Sequence, residues 1–260
     1  GMLANKVVGR VYTIHSMPEF DSPGLKKYIY SLLFNYAKIT GVAISKKIED
    51  KSKVYFRTSN IVRIENGVEI DKFKSEVPIN KRNINKILHV GRFVEVKNQR
   101  MLIEAMKSIQ DIDFKGTFVG DGETLEENKK IVKQFALEDK VEFLGSRSNI
   151  GEIMSENSIF VLCSKMEGAP ITIIEAMANG MAIIATDVGG IRDFIDNDKN
   201  GIIVKKDSID ELARAIKALL SDKERIFELS KNAIIKSKEY DMNICVEKHI
   251  NLYKKLLNSL

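Results

Sequence analysis

Two carboxylates lie close together in the stretch from Phe160 to Gly190, which reads FVLCSKMEGAPITIIEAMANGMAIIATDVGG. The apolar run before Glu167 predicts a short buried strand, and the helical spacing after Pro170 places Glu175 on a helix. Ligands of parallel sheets bind outside the carboxyl ends of the strands, and free N–H groups at a helix start favour an anion. The two acids could therefore bracket a ligand whose phosphate rests on amides near residues 168–172. On spacing alone, a loop charge and a solvated helix face explain them equally well.

Two cations follow an earlier strand pattern in the segment HVGRFVEVKN. Arg92 comes at the end of the strand, and Lys97 follows five residues later as a helix opens. A diphosphate needs such charge, and an arginine can bind it through a fork of donors. A lysine at a helix start is electrostatically unfavourable, which favours a ligand there. For the pair taken alone, solvated surface charges are the more frequent explanation.

Composition excludes several classes of protein. The chain has 260 residues, 44% of them hydrophobic and 30% charged, with a net charge of +5, which describes a mildly basic globular protein. No apolar run predicts a membrane-spanning helix, and the first residues do not resemble a signal peptide. Cys163 and Cys245 form no disulfide framework, so free thiols in a reducing cytoplasm are expected. The sequence shows no cluster with metal-ligand spacing, and its dispersed basic residues disfavour nucleic-acid binding.

Strand and helix patterns alternate regularly after residue 85, which predicts a doubly wound parallel α/β sheet. Before it we predict a strand at Val7–Ile14, a helix at Leu25–Tyr36 and a polar linker at Asp71–Asn85. The predicted strands of the regular part are Lys86–Val90, Phe114–Val119, Lys140–Leu144, Ile159–Cys163, Ala182–Thr186 and Gly201–Val204. The predicted helices lie near Asn98–Ile109, Thr124–Leu137, Ile150–Ser155, Pro170–Asn179, Ile191–Asp196, Ser208–Leu220, Asp222–Lys238 and Asn243–Leu260.

The amino-acid sequence of the central stretch, residues 160–190, resembles the signature of retaining glycosyltransferases of family 4, which have the GT-B fold. Seven residues separate Glu167 from Glu175, and Gly168–Pro170 stands between them. The segment HVGRFVEVKN resembles the family's GR…KN entry to its second domain. The resemblance covers the chain from about Val7 and is strongest from Lys86 to Val204.

The resemblance implies a role for each candidate residue. Arg92 and Lys97 would meet the donor diphosphate, and Glu175 would hold the ribose. Glu167 and His15 would line the reacting sugar as the catalytic pair, although a lone histidine at a strand end is more often a plain surface residue. The other donor-binding candidates are the loop facing the sugar and the segment beside the base: Gly168, Ala169, Pro170, Ile171, Thr172, Ser146 and Arg147. The donor would be a UDP-, GDP- or ADP-sugar, with no metal and no cofactor.

The resemblance also implies a division of the chain. Residues 81–238 would form a complete C-terminal, Rossmann-like, nucleotide-sugar-binding domain. Residues 1–80 would form a partial N-terminal domain on the acceptor side, and residues 239–260 would be a helix that crosses back to it. A full member opens with a strand and a glycine-rich loop that this sequence lacks, so we expect a truncation or a partner that supplies the rest. Because exposed strand edges invite pairing, residues 1–80 should self-associate as a homo-oligomer or need a partner subunit.

The function implied by the resemblance is transfer of a sugar, with retention, from a nucleoside diphosphate sugar to a saccharide or lipid-linked acceptor. The resemblance implies that this reaction would serve cell-surface polysaccharide synthesis. The enzyme would then be cytoplasmic, with peripheral contact at the inner face of the membrane. A non-catalytic donor-binding subunit is one alternative. A sugar-nucleotide epimerase of GT-B architecture is another alternative, and the sequence EGAPITIIEA disfavours it.

Overall fold

The structure, a computed structural model, describes residues 9–37 and 39–258. These residues form two separate parallel sheets, one of three strands and one of six. The strands are β1 (Arg10–Ile14), β2 (Ile39–Ala43), β3 (Ile61–Arg63), β4 (Lys86–Val90), β5 (Lys115–Val119), β6 (Val141–Gly145), β7 (Ile159–Leu162), β8 (Ala182–Thr186) and β9 (Ile202–Val204).

Helices connect the strands and cover the sheets. In chain order they are α1 (Pro18–Asp21), α2 (Leu25–Tyr36), α3 (Lys46–Phe56), α4 (Ile70–Phe73), α5 (Gln99–Ser108), α6 (Leu125–Gln134), α7 (Ile150–Ser155), α8 (Ile171–Asn179), α9 (Ile191–Phe194), α10 (Ile209–Leu220), α11 (Lys223–Ser237) and α12 (Met242–Asn258). Most predicted elements are confirmed, with ends that shift by one to three residues. The predicted start at Val7 and the predicted end at Leu260 lie outside the described residues.

The first sheet has the order β1-β2-β3 and a helix layer on each face. Because side chains alternate along a strand, Ala43 packs with Phe34 of α2 and Ile48 of α3 on one face. Val42 points to the other face, where it packs with Leu252 of α12. The C-terminal helix therefore returns to the first sheet.

The second sheet has the order β6-β5-β4-β7-β8-β9. One core cluster joins it to α5, α6 and α10, and a second cluster joins its other face to α7, α8 and α9. Alternation along β7 explains the two-sided burial, since Ile159 belongs to the first cluster and Phe160 to the second. The predicted doubly wound parallel sheet is confirmed.

A topological switch point lies between β4 and β7. The chain proceeds from β4 outward through β5 and β6, then returns to β7 beside β4 and proceeds the other way. Ligands of open α/β sheets bind in the crevice outside the carboxyl ends of strands at such a point. The loops after β4 and β7 are therefore the candidate ligand-binding loops of the second sheet.

The segment predicted as a linker is instead folded against the second half of the chain. Within it α4 packs on α8, and the side-chain amide of Asn179 donates to the Phe73 carbonyl at 2.9 Å. Arg82 is buried and donates to Asn179 Oδ1 at 2.9 Å and to the Asn157 carbonyl at 3.2 Å. Hydrogen bonds hold this segment together with scattered apolar contacts of Phe73, Ile79 and Ile84, so its sequence has no regular apolar period.

The two connections between the sheets run side by side. The Val68 N–H donates to the Tyr240 carbonyl at 2.9 Å, and the Met242 N–H donates to the Val68 carbonyl at 2.9 Å. A side chain at Gly67 would come within 2.7 Å of Cys245 Cβ, so only glycine fits here. The domain limits at residues 80/81 and 238/239 stay a prediction.

Two simpler expectations concern cysteines and membrane spans. Cys163 and Cys245 are both free, and Cys163 is buried, which raises the pKa of its thiol to about 12. Within residues 9–37 and 39–258, every helix is too short or too polar to span a bilayer.

Candidate active site

A lysine and a glutamate meet across the switch point. Lys97 follows β4 and Glu167 follows β7, and Lys97 Nζ lies 2.7 Å from Glu167 Oε1. The Glu167 side chain is only 8% exposed, so the ion pair is largely screened from water. The Ser164 hydroxyl donates to the same Oε1 at 2.6 Å. No hydrogen bond to Oε2 is present in the described part of the chain, which leaves that oxygen able to accept from a ligand.

Two further hydrogen bonds fix the loop that carries Glu167. Thr186, at the end of β8, donates its hydroxyl to the Ser164 carbonyl at 2.6 Å. The Lys165 N–H donates to the Val96 carbonyl at 2.8 Å, which ties this loop to the one that carries Lys97. Sequence reasoning missed Ser164 and Thr186, because their contacts have no local pattern.

Glu175 lies in the second turn of α8 and is half-buried. Burial raises the pKa of its carboxyl. Among the described residues its side chain has no hydrogen-bond or ion-pair partner. A partly desolvated carboxylate without a partner is costly, and a ligand with two adjacent hydroxyls would satisfy it.

Arg92 lies two residues after the end of β4 and is exposed. Its backbone is held, because the Gln99 side-chain amide donates to the Arg92 carbonyl at 2.8 Å. Its guanidinium makes no ion pair within the part of the chain that the structure describes. A fixed backbone with a free guanidinium suits the capture of an anion from solution.

The start of α8 differs from the prediction by one residue. The helix begins at Ile171, and Pro170 is the residue before it, with φ −72° and ψ 110°. The proline φ is compatible with a helix, but the extended ψ excludes this residue from the first turn. Ala169 and Thr172 are half-buried, and Ile171 is 45% exposed. No side chain caps the helix, so the N–H groups of Ile171 and Thr172 are available to an anion, while the Ile173 N–H donates to the Pro170 carbonyl at 3.2 Å.

His15 and the glycine loop are brought together by close backbone packing. A Cβ at Gly168 would lie 2.6 Å from the His15 carbonyl oxygen, and a Cβ at Gly190 would lie 2.5 Å from the Gly168 carbonyl oxygen. At Gly189, where φ is 55°, a Cβ would overlap the Glu167 carbonyl. The loops after β1, β7 and β8 therefore meet where only glycine fits. The His15 side chain is exposed beside them.

Asp193 joins the two halves of the chain next to this junction. Its Oδ2 accepts from the Lys46 N–H at the start of α3, at 2.6 Å. Burial raises the pKa of this carboxyl. The contact spans 147 positions, and nothing in the local sequence predicts it.

Ser146 and Arg147 lie apart from the other candidates. Both are exposed in the loop after β6, which is two strands away from β4. At about 4.8 Å between strands, the separation along the sheet edge is about 10 Å. The structure does not bring these two residues into contact with Lys97 or Glu167, but the distance fits a ligand that lies along the edge.

A cavity and a buried histidine also lie near this edge. A cavity of about 340 Å³ opens beside the loop after β4 and is lined by Glu95, Asn98 and Lys165 among others, but by none of the predicted site residues. His89 on β4 is fully buried, with Nδ1 2.9 Å from the Val161 carbonyl. Burial lowers the pKa of His89 to about 4, so it is neutral at pH 7.

The fold and the site define an α/β protein with two parallel sheets, in which cations and acids lie beside the carboxyl ends of β4 and β7. Residues 70–239 match the family described as glycosyl transferases group 1. The chain belongs to this family, as its central stretch predicted.

The curated relatives include two bacterial enzymes. The chain is 28% identical over 244 residues to N,N'-diacetylbacillosaminyl-diphospho-undecaprenol alpha-1,3-N-acetylgalactosaminyltransferase of Campylobacter jejuni. It is 26% identical over 246 residues to UDP-Gal:alpha-D-GlcNAc-diphosphoundecaprenol alpha-1,3-galactosyltransferase of Escherichia coli. These alignments cover 89% and 86% of the chain, but 64% of each relative. The chain thus spans less than two thirds of the length of these relatives.

Solved structures share the fold. Anabaena Alr3699/HepE in complex with UDP superposes with a TM-score of 0.83 at 23% identity, over 94% of this chain and 72% of that one. Sucrose-phosphate synthase from Thermosynechococcus elongatus superposes with a TM-score of 0.84 at 20% identity, over 96% and 68%. The predicted GT-B type α/β fold is confirmed.

Proposed function

We propose that the chain binds a nucleoside diphosphate sugar and transfers its sugar, with retention, to a saccharide or lipid-linked acceptor. The observation that carries the proposal is the pairing of Lys97 with Glu167 at the switch point. Arg92 lies on the same loop as Lys97, and Glu175 lies on the helix that follows Glu167. Charge of both signs at a sheet edge suits a ligand with an anionic middle and hydroxyl groups on either side of it.

Each residue has a role in this proposal. Arg92 and Lys97 neutralise the charge that builds on the leaving diphosphate, and the first amides of α8 hold the phosphate nearest the sugar. Glu175 accepts from the ribose hydroxyls. Glu167, through its free Oε2, and His15 line the reacting sugar. Because the two cations supply the positive charge, the proposal needs neither a metal nor a cofactor.

Ser146 and Arg147 lie about 10 Å from β4 along the edge of the second sheet. The nucleotide base of the donor would reach this far. The related structures favour UDP among the possible donors, since Alr3699/HepE was solved with UDP and with UDP-glucose. The relatives named above act on diphospho-undecaprenol-linked sugars. We propose a similar acceptor, which would bring the chain to the inner face of the membrane in cell-surface polysaccharide synthesis.

Titration calorimetry with UDP, GDP and ADP tests donor binding. We expect at least one diphosphate to bind, and to bind more tightly than its own monophosphate, because two cations face the second phosphate. Absence of binding by all three, with folded protein, would refute the proposal.

A second experiment separates catalysis from binding. The chain is incubated with a bound donor, with and without a sugar-diphosphate lipid, and the products are followed by mass and by the NMR signal of the anomeric proton. Transfer with an α product from an α donor supports a retaining enzyme. Binding with neither transfer nor donor hydrolysis supports the non-catalytic donor-binding subunit. An epimerised nucleotide sugar would support the epimerase.

A further inference from the structure

Asp193 caps a helix that belongs to the other half of the chain. The first N–H groups of a helix such as α3 have no partners inside the helix. The Ser45 hydroxyl accepts from one of them, the Ile48 N–H, at 3.3 Å. Asp193 Oδ2 accepts from another, the Lys46 N–H, at 2.6 Å. A carboxylate at the start of a helix is favoured by the helix dipole, so this contact stabilises α3 from outside its own sheet.

The backbone of Asp193 is held as firmly as its side chain. The Asp193 N–H donates to the carbonyl of Gly190 at 2.9 Å, and Gly190 belongs to the glycine turn, Gly189–Gly190, after β8. The Tyr240 hydroxyl donates to the Asp193 carbonyl at 2.5 Å, which ties the residue to one of the two connections between the sheets. Asp193 therefore joins three parts of the chain: α3, the glycine turn and the connection at Tyr240.

The other contacts at this junction are made by close backbone packing. Gly190 packs on Ser45 and on the Gly168 carbonyl, and Gly168 packs on the His15 carbonyl. Such contacts limit how closely the two halves approach, whereas a hydrogen bond also fixes their direction. Among the described residues, Asp193 is the one residue of the segment from β4 to α11 that hydrogen-bonds to the segment from β1 to β3. Asp193 thus supplies the directional link across the junction.

We propose that Asp193 is a positioning residue of the candidate active site, which it orients by bonding α3 to the glycine turn. His15 follows β1 and Glu167 follows β7, so the proposed catalytic pair comes from two different sheets. The glycine turn packs against the Glu167 carbonyl, and its link to α3 holds the Glu167 loop in a fixed position relative to His15. The inference rests on the proposed function, because it gives Asp193 a part in the geometry of the reacting groups.

Donor binding should not need the link through Asp193. Arg92 and Lys97 follow β4, and Glu175 lies on α8, so the positions of these three residues are set within the second sheet and its helices. Sugar transfer needs groups from both sheets, and a misplacement of about 1 Å lowers a rate by about 100-fold. Loss of the Asp193 carboxylate should therefore lower kcat, while the Kd for UDP stays within about twofold of its original value.

Amide hydrogen exchange tests the link without requiring activity. The first amide of a helix is ordinarily unprotected, so slow exchange at Lys46 reports its bond to Asp193. Asp193→Ala should speed exchange at Lys46 by about tenfold or more, whereas Asp193→Asn, which retains an oxygen acceptor, should keep part of the protection. Asp196→Ala is the matched control, because Asp196 is an exposed acid in the same segment. Circular dichroism verifies that all three variants fold.

Kinetics on the same variants test the positioning role. With UDP-glucose or UDP-N-acetylglucosamine and a sugar-diphosphate lipid, Asp193→Ala should lower kcat by about tenfold to 100-fold and leave UDP binding by calorimetry unchanged. Asp193→Asn should recover part of the rate. Unchanged exchange at Lys46, unchanged kcat, or parallel losses of kcat and UDP affinity would overturn the inference. A wild-type chain without transfer would refute the proposed function and the positioning role with it, whereas exchange at Lys46 decides the link to α3 by itself.

Discussion

Lys97 Nζ and Glu167 Oε1 lie 2.7 Å apart and join the loops after β4 and β7 across the switch point of the second sheet. The cation proposed to meet the diphosphate is therefore neutralised by a buried carboxylate. Donor binding must therefore share Lys97 with Glu167 or draw it away. The Ser164 hydroxyl keeps Glu167 in place while this happens, since it donates to the same oxygen.

A double-mutant experiment separates the two roles of Lys97. Lys97→Met leaves the buried Glu167 carboxylate without its cation and should lower the free energy of unfolding by about 1–3 kcal/mol. UDP binding should weaken as well. Lys97→Met combined with Glu167→Gln removes the uncompensated charge, so stability should recover while UDP binding stays weak. Urea denaturation and calorimetry measure the two quantities. Recovery of UDP binding in the double variant would mean that Lys97 acts only through Glu167.

Removing the charge of Glu175 should raise the stability of the fold but weaken UDP binding. Its half-buried carboxyl has a pKa raised by burial, so ionisation at pH 7 opposes folding. Glu175→Gln keeps the shape and removes the charge, and we expect a small rise in Tm. If Glu175 holds the ribose, the same change weakens UDP binding about tenfold or more, since a hydrogen bond to a charged group is lost. Thermal melts and calorimetry check this, and unchanged affinity would remove Glu175 from the site.

The sequence predicted the elements of the second sheet because their burial repeats locally. Apolar runs located β4 and β7, and helical spacing located α8. Glu167, Glu175, Arg92 and Lys97 lie on or beside those elements, as their positions in the sequence predicted, and their roles in a site stay a prediction. Ser164 and Asp193 could not be predicted, because their contacts depend on how distant loops meet. The segment that holds Arg82 was misjudged as a linker because its polar contacts and its few, irregularly spaced apolar contacts leave no period in the sequence.

His89 should make the fold sensitive to acid. Burial lowers its pKa to about 4 in the folded chain, against about 6.5 when unfolded. Between these values the unfolded chain binds a proton that the folded chain does not. Stability should therefore fall as the pH is lowered, by about 2–3 kcal/mol between pH 7.5 and 4.5. Urea midpoints over this range measure the slope, and His89→Leu should flatten it whatever its stability at pH 7. An equal slope in both proteins would assign the acid sensitivity to other groups.

Arg92 should act on the diphosphate and not on the nucleoside. Its guanidinium is exposed and makes no ion pair among the described residues, so its loss should barely change the free energy of unfolding. A charge-assisted hydrogen bond contributes about 1.5–3 kcal/mol, so Arg92→Ala should weaken UDP binding about tenfold or more and uridine binding much less. Arg214→Ala on α10 is the matched control, since Arg214 is also exposed, and it should leave both affinities unchanged. Calorimetry with UDP and uridine on the three proteins gives the comparison. Equal losses for UDP and uridine would place Arg92 at the base or in folding, and would leave the diphosphate to Lys97 and the amides of α8.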